Sequence, residues 1–113
     1  MISEVKPIIV TDDETGMEFT LEFTRESVKF AEARGFKIND VADYPMTKIP
    51  ELWFYAFRAH HKNIARAKTD ALLEGLCGIP DGLLERLGEL YAAPFSALTD
   101  GQTEENPRVT VKL

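Results

Sequence analysis

The chain has 113 residues and a formal net charge of −6, from 13 Lys and Arg against 19 Asp and Glu, which fits one small domain and leaves no room for two independent cores. Hydrophobic residues at 44% and charged residues at 28% are ordinary globular values that speak against wholesale disorder; no apolar run approaches the roughly 18–20 residues of a membrane span, and the acidic balance speaks against broad phosphate-backbone binding. The single cysteine, Cys77, excludes an internal disulfide and fits a reducing, cytoplasmic setting, and Met1-Ile2-Ser3-Glu4 lacks the basic start and apolar core of a secretory signal.

Met17, Phe19, Leu21 and Phe23 alternate with Glu18, Thr20 and Glu22, the period of a strand with one buried face. Upstream, Val5 to Val10 is β-branched and apolar, and Thr11-Asp12-Asp13-Glu14-Thr15-Gly16 reads as the turn of a β-hairpin. Pro7 has no N–H for a ladder and places the first strand on an edge. Thr24 is positioned to cap a helix over 25–34 that Gly35 stops, with Ser27, Val28, Phe30 and Ala31 on one side. Residues 36–46 read as a connector, Pro45 biasing Tyr44 away from helix. A longer helix is expected from Lys48 to Ile64, capped by Thr47 with Pro50 in its first turn. Its apolar stripe holds Ile49, Trp53, Ala56, His60 and Ile64, flanked by Leu52 and Phe57, while Arg58, Lys62 and Arg66 lie opposite. Thr69 to Leu76 reads as a short helix capped by Thr69. The last helix carries Leu83, Leu84, Leu87, Leu90 and Tyr91 on one stripe; Pro94 interrupts it, and Phe95 and Leu98 extend the stripe beyond a kink. Residues 99–107 are polar linker, and Arg108-Val109-Thr110-Val111-Lys112-Leu113 alternates again, as a third strand or as a tail ordered on a partner.

The expected fold is therefore α+β: an N-terminal β-hairpin packed on a small bundle of three to four helices, with a single globular domain over 1–98 and a flexible acidic linker and C-terminal tail or short strand over 99–113. Charge is uneven along the chain: −5 over residues 1–44, +2 over 45–79 and −3 over 80–113. Such a pattern suits self-association or a matched protein partner, and equally an ordinary solvated surface.

Catalytic and metal signatures are weak. Adjacent helical residues point about 100° apart, so His60 and His61 do not share one ion from one helix, and His60 reads as a hydrogen-bonded core or interface residue. Cys77 sits in a helix-ending Leu-Cys-Gly context without a Cys/His signature, and the glycines match no phosphate-binding spacing. No catalytic residue, metal site or cofactor is assigned, and the chain is expected not to be an enzyme.

The aromatic run is more informative. Trp53-Phe54-Tyr55-Ala56-Phe57 holds four aromatics in five residues, more than one stripe of a helix buries. Trp53 and Phe57 fit the core side, and Phe54 and Tyr55 project toward the flanks near Arg58 and Lys62. Exposed aromatics beside Arg mark binding surfaces; the alternative is that the hairpin or the last helix covers them. Trp53, Phe54, Tyr55, Phe57, Arg58 and Lys62 are the candidate partner-binding residues, and replacing Phe54 and Tyr55 by Ala is expected to weaken binding while leaving the fold intact.

Thr20-Leu21-Glu22-Phe23-Thr24-Arg25-Glu26-Ser27-Val28-Lys29-Phe30 with Arg34-Gly35-Phe36 resembles the opening of siphophage tail assembly chaperones. Tyr44-Pro45-Met46-Thr47, Leu52-Trp53-Phe54-Tyr55-Ala56-Phe57 with Ala59-His60-His61, and Leu87-Gly88-Glu89-Leu90-Tyr91 with Pro94 and Leu98 are similar to the same small phage tail proteins, so the likeness runs in order over residues 17–98. It is a likeness of packing residues and caps, without a catalytic signature. It implies a non-enzymatic protein of virion morphogenesis in the host cytoplasm that coats the hydrophobic tape measure protein until tail tube subunits displace it. The implied partners are the tape measure protein, the major tail protein and further copies of the chain in a homo-oligomer, with no nucleic acid and no membrane. The alternative from another class is a structural virion component, such as a head–tail connector or tail-completion protein.

Overall fold

The alternation at the N-terminus produces an antiparallel pair, β1 (Ile8–Asp12) and β2 (Met17–Leu21), in the register Ile8↔Leu21, Val10↔Phe19 and Asp12↔Met17. The computed structural model describes residues 5–99, with side chains as far as Ser96. The turn is tighter than the expected Thr11–Gly16, and β1 continues to Asp12: the Asp12 carbonyl accepts from Thr15 N–H and Gly16 N–H, its Oδ1 accepts from Glu14 N–H, and Gly16 adopts a φ of +75° that a side chain would oppose. Pro7 falls just before β1, where no ladder bond is asked of it.

Helix α1 (Arg25–Ala33) begins where Thr24 predicts, through a reciprocal cap in which Thr24 Oγ1 accepts from Ser27 N–H and Ser27 Oγ accepts from Thr24 N–H. Gly35, at φ +90°, ends it and turns Phe36 into the core. The segment expected as connector contains a single turn, α2 (Asp40–Asp43).

Helix α3 (Pro45–Arg58) starts three residues earlier and stops six earlier than periodicity indicates. Pro45 serves as the first helical residue, its fixed φ and missing N–H suiting that position. Pro50 sits inside the helix and leaves the Met46 carbonyl without its usual donor, at a residue exposed to water. The early stop has a tertiary cause: the Ala56 carbonyl in the last turn accepts from Glu22 N–H at 3.0 Å, and the chain then turns so that His61 meets β2.

Helix α4 (Arg66–Glu74) takes Thr69 inside it, not as its cap; Thr69 is fully buried and its Oγ1 donates to the Arg66 carbonyl. Helix α5 (Leu83–Thr99) runs through Pro94 without ending. It buries Leu87, Leu90 and Tyr91, whereas Leu84, expected on that stripe, is exposed. The core forms where the hairpin's inner face (Val10, Phe19, Leu21), Phe23, Phe36, α3 and α5 meet. Full burial of each large apolar side chain there contributes about 1.5–3 kcal/mol. The fold is the expected α+β arrangement of hairpin and small helical bundle. The expected linker from Asp100 onward and the C-terminal strand lie outside the described residues, as does the Leu98 side chain.

Candidate protein-binding surface

The aromatic run of α3 divides by face. Trp53, Tyr55 and Phe57 are 1%, 7% and 0% exposed. Trp53 Nε1 donates to the Thr69 carbonyl at 2.8 Å, which satisfies its one polar atom inside the core. The Phe57 ring meets Trp53 edge-on at 5.1 Å and Phe19 at 5.5 Å, and Tyr55 packs 5.4 Å from Phe36. These three candidates are corrected: they are core residues of the monomer, and Tyr55 does not project to the flank. Tyr55, two residues and about 200° round the helix from Trp53, is buried because α1 and the Gly35–Phe36 turn supply a second packing wall.

Phe54 is half-buried, lies 5.3 Å from Tyr55, and has the Arg66 guanidinium 5.9 Å from its ring. Arg58, at the end of α3, places its guanidinium 3.5 Å from the Phe30 ring of α1, and Arg34 places a second one 4.4 Å from the same ring. Arg58 also donates from Nη1 to the Lys62 carbonyl at 2.9 Å, which fixes the turn after α3. Between α1 and this turn lies a cleft of about 230 Å³ lined by Thr24, Glu26, Ser27, Phe30, Arg58 and Lys62. Among the described residues, no carboxylate forms an ion pair with Arg34, Arg58 or Lys62, whereas Arg66 pairs with Asp70 at 2.9 Å. Of the candidate residues, the structure therefore brings Phe54, Arg58 and Lys62 to one face and adds Phe30 and Arg34. The signal available for those two was their i, i+4 spacing on α1, which stacks an arginine over an aromatic.

His60, expected as a hydrogen-bonded core or interface residue, is solvent-accessible, its Nε2 2.6 Å from Glu22 Oε1. His61 is the packed one: its ring lies 5.2 Å from Phe19, and its Nε2 accepts from Thr20 N–H at 3.1 Å, which places the neutral ring's proton on Nδ1. Among the described residues no three His, Cys, Asp or Glu side chains gather as a metal site would need. Cys77 is exposed at φ +55° in the turn before Gly78. No helix of the described residues is long and apolar enough to cross a membrane.

This chain belongs to a family described as a domain of unknown function (DUF5055), which matches residues 2–113. No curated protein and no solved structure matches it.

Proposed function

We propose that this DUF5055 chain is a non-enzymatic tail assembly chaperone of a siphophage, acting in the host cytoplasm, and that it holds the tape measure protein through the α1–α3 face centred on Phe30. The likeness of residues 17–98 to such chaperones supports the reading. The observation that carries it is the Phe30 ring beneath two guanidinium groups that have no carboxylate of their own among the described residues.

A holdase has to offer apolar surface without aggregating, and to bind firmly without binding permanently. An arginine-covered ring meets both demands. In the free protein the guanidinium groups of Arg34 and Arg58 lie on Phe30 and keep it from presenting bare hydrocarbon to water. An amphipathic helix carrying carboxylates draws those groups aside into charge-assisted hydrogen bonds, and its apolar side chains then reach Phe30 and the half-buried Phe54. Each contact is traded for a similar one already present in the free chain, so the net affinity stays moderate and polymerising tail subunits can displace the chaperone.

The test is co-expression with the tape measure protein. The proposal expects the tape measure protein to be soluble and to co-purify when this chain is present, and to aggregate when it is absent. Mature particles are expected to lack the chain, since a connector would remain in them at fixed copy number. A tape measure protein whose solubility is indifferent to the chain would overturn the reading.

A further inference from the structure

The two outer edges of the hairpin differ. On β2 the edge is closed: Thr20 donates to His61 Nε2 at 3.1 Å, and beyond the strand Glu22 donates to the Ala56 carbonyl at 3.0 Å. Bonded and non-bonded pairs alternate along an antiparallel ladder, so the outward groups of β1 belong to Ile9 and Thr11, opposite Thr20 and Glu18. Among the described residues no hydrogen bond reaches them. Ile8-Ile9-Val10-Thr11 carries no charge and no proline, the features that blunt an edge against further pairing, and Ile9 is 57% exposed.

The open edge is complementary to itself. With a second copy laid antiparallel so that the two Val10 residues face each other, Ile9 of each chain meets Thr11 of the other, and each such pair exchanges both of its N–H···O bonds. Pro7 then lies outside the bonded pairs, where its missing N–H is not needed. The same register brings Lys6 of each copy to the Asp13–Glu14 turn of the other, a cation against carboxylates at both ends. Lys6, Asp13 and Glu14 form no ion pair among the described residues, whereas Asp12 is held by Lys68 at 3.1 Å within its own chain. Moving the axis to Ile9 would instead set Pro7 opposite Thr11, where a donor is missing, and Lys6 opposite the already paired Asp12. A two-fold axis perpendicular to the sheet keeps both inner faces on one side. It therefore places the two β1–α4 grooves side by side, each about 330 Å³ with Val10, Leu72 and Leu76 in its wall, and the half-buried leucines gain cover.

We propose that the outer edge of β1 pairs with the same edge of a second copy about a two-fold axis at Val10, joining the two hairpins into one continuous sheet with Lys6 of each chain against Asp13 and Glu14 of the other. The Phe30 surface takes no part in this pairing, and no partner protein is needed to test it. Sedimentation of the full chain, with amide hydrogen exchange alongside, is the test. A monomer–dimer equilibrium is expected, with exchange at Ile9 and Thr11 slow at high protein concentration and fast on dilution. Lys6→Glu acts at both ends of the interface and should weaken the dimer by about fivefold or more; adding Glu14→Lys should restore it. A chain still monomeric at about 1 mM would overturn the proposal, as would protection at Ile9 and Thr11 that survives dilution, which would assign the edge to its own chain. A dimer in which these two amides exchange fast, or a double variant no tighter than Lys6→Glu alone, would overturn it as well.

Discussion

Along α3, Trp53, Tyr55 and Phe57 are sealed inside the monomer, while Phe54, next in sequence to both Trp53 and Tyr55, stays half-buried at a surface shared with Phe30, Arg34, Arg58 and Arg66. The inner rings find partners of their own kind and one hydrogen-bond acceptor, the Thr69 carbonyl. The outer rings are covered by guanidinium groups on flexible stems. One cover is permanent because it is packed at close to crystal density; the other can be exchanged, because a cation resting on a ring contributes only about 0.5–1 kcal/mol at an exposed site. Aromatic content by itself therefore does not separate the two faces of this chain. What covers each ring does.

The sharpest break between the two faces is expected from truncation. Trp53→Ala should lose about 3–5 kcal/mol of unfolding free energy, through lost burial and a cavity, as read by urea denaturation. Tyr55→Ala should cost about 3 kcal/mol by the same mechanism, so the paired replacement of Phe54 and Tyr55 confounds folding with binding. Arg58→Ala with Lys62→Ala should shift stability by no more than about 1 kcal/mol while acting on partner binding. A smaller effect of opposite sign tests the packing of α5. The Tyr91 hydroxyl is buried with no hydrogen-bond partner among the described residues, and burial, then the nearby Glu32 charge, pushes its pKa above the ordinary value. Tyr91→Phe should therefore be neutral or stabilising by up to about 1 kcal/mol in thermal unfolding.

The smallest effect belongs to the hairpin turn. Asp12 is held below its ordinary pKa, first by the hydrogen bond from Lys68 Nζ at 3.1 Å and next by the Glu14 N–H. A depressed carboxylate contributes stability above its unfolded-state pKa and loses it as pH falls through the folded value. Acid titration of the unaltered chain should therefore show a slightly steeper loss of stability below the ordinary carboxylate range than Lys68→Met does. Identical acid limbs would mean that the Asp12–Lys68 pair contributes nothing.

Local rules read much of this fold. The hairpin followed from strict alternation, and the start of α1 from Thr24, because an N-cap is decided by residues within one turn. What failed depends on distant partners. The helical pattern of α3 continues in sequence to Ile64, yet the helix ends at Arg58 because β2 takes the Ala56 carbonyl as acceptor and His61 as a cap for its own edge. For the same reason His60 is left accessible and His61 is the packed histidine. Arg58, Lys62 and Phe54 were legible as surface candidates from spacing on one helix. Phe30 and Arg34 were not, since their contact with Arg58 requires knowing that α1 lies against the end of α3.

The most direct measurement is the affinity of the tape measure protein for the unaltered chain and for the Arg58→Ala, Lys62→Ala variant, with melting curves recorded alongside. Binding is expected to weaken by about tenfold or more, with both proteins folded and melting midpoints no more than about 4–8 °C apart. Equal affinities for the two proteins, both folded, would contradict the account.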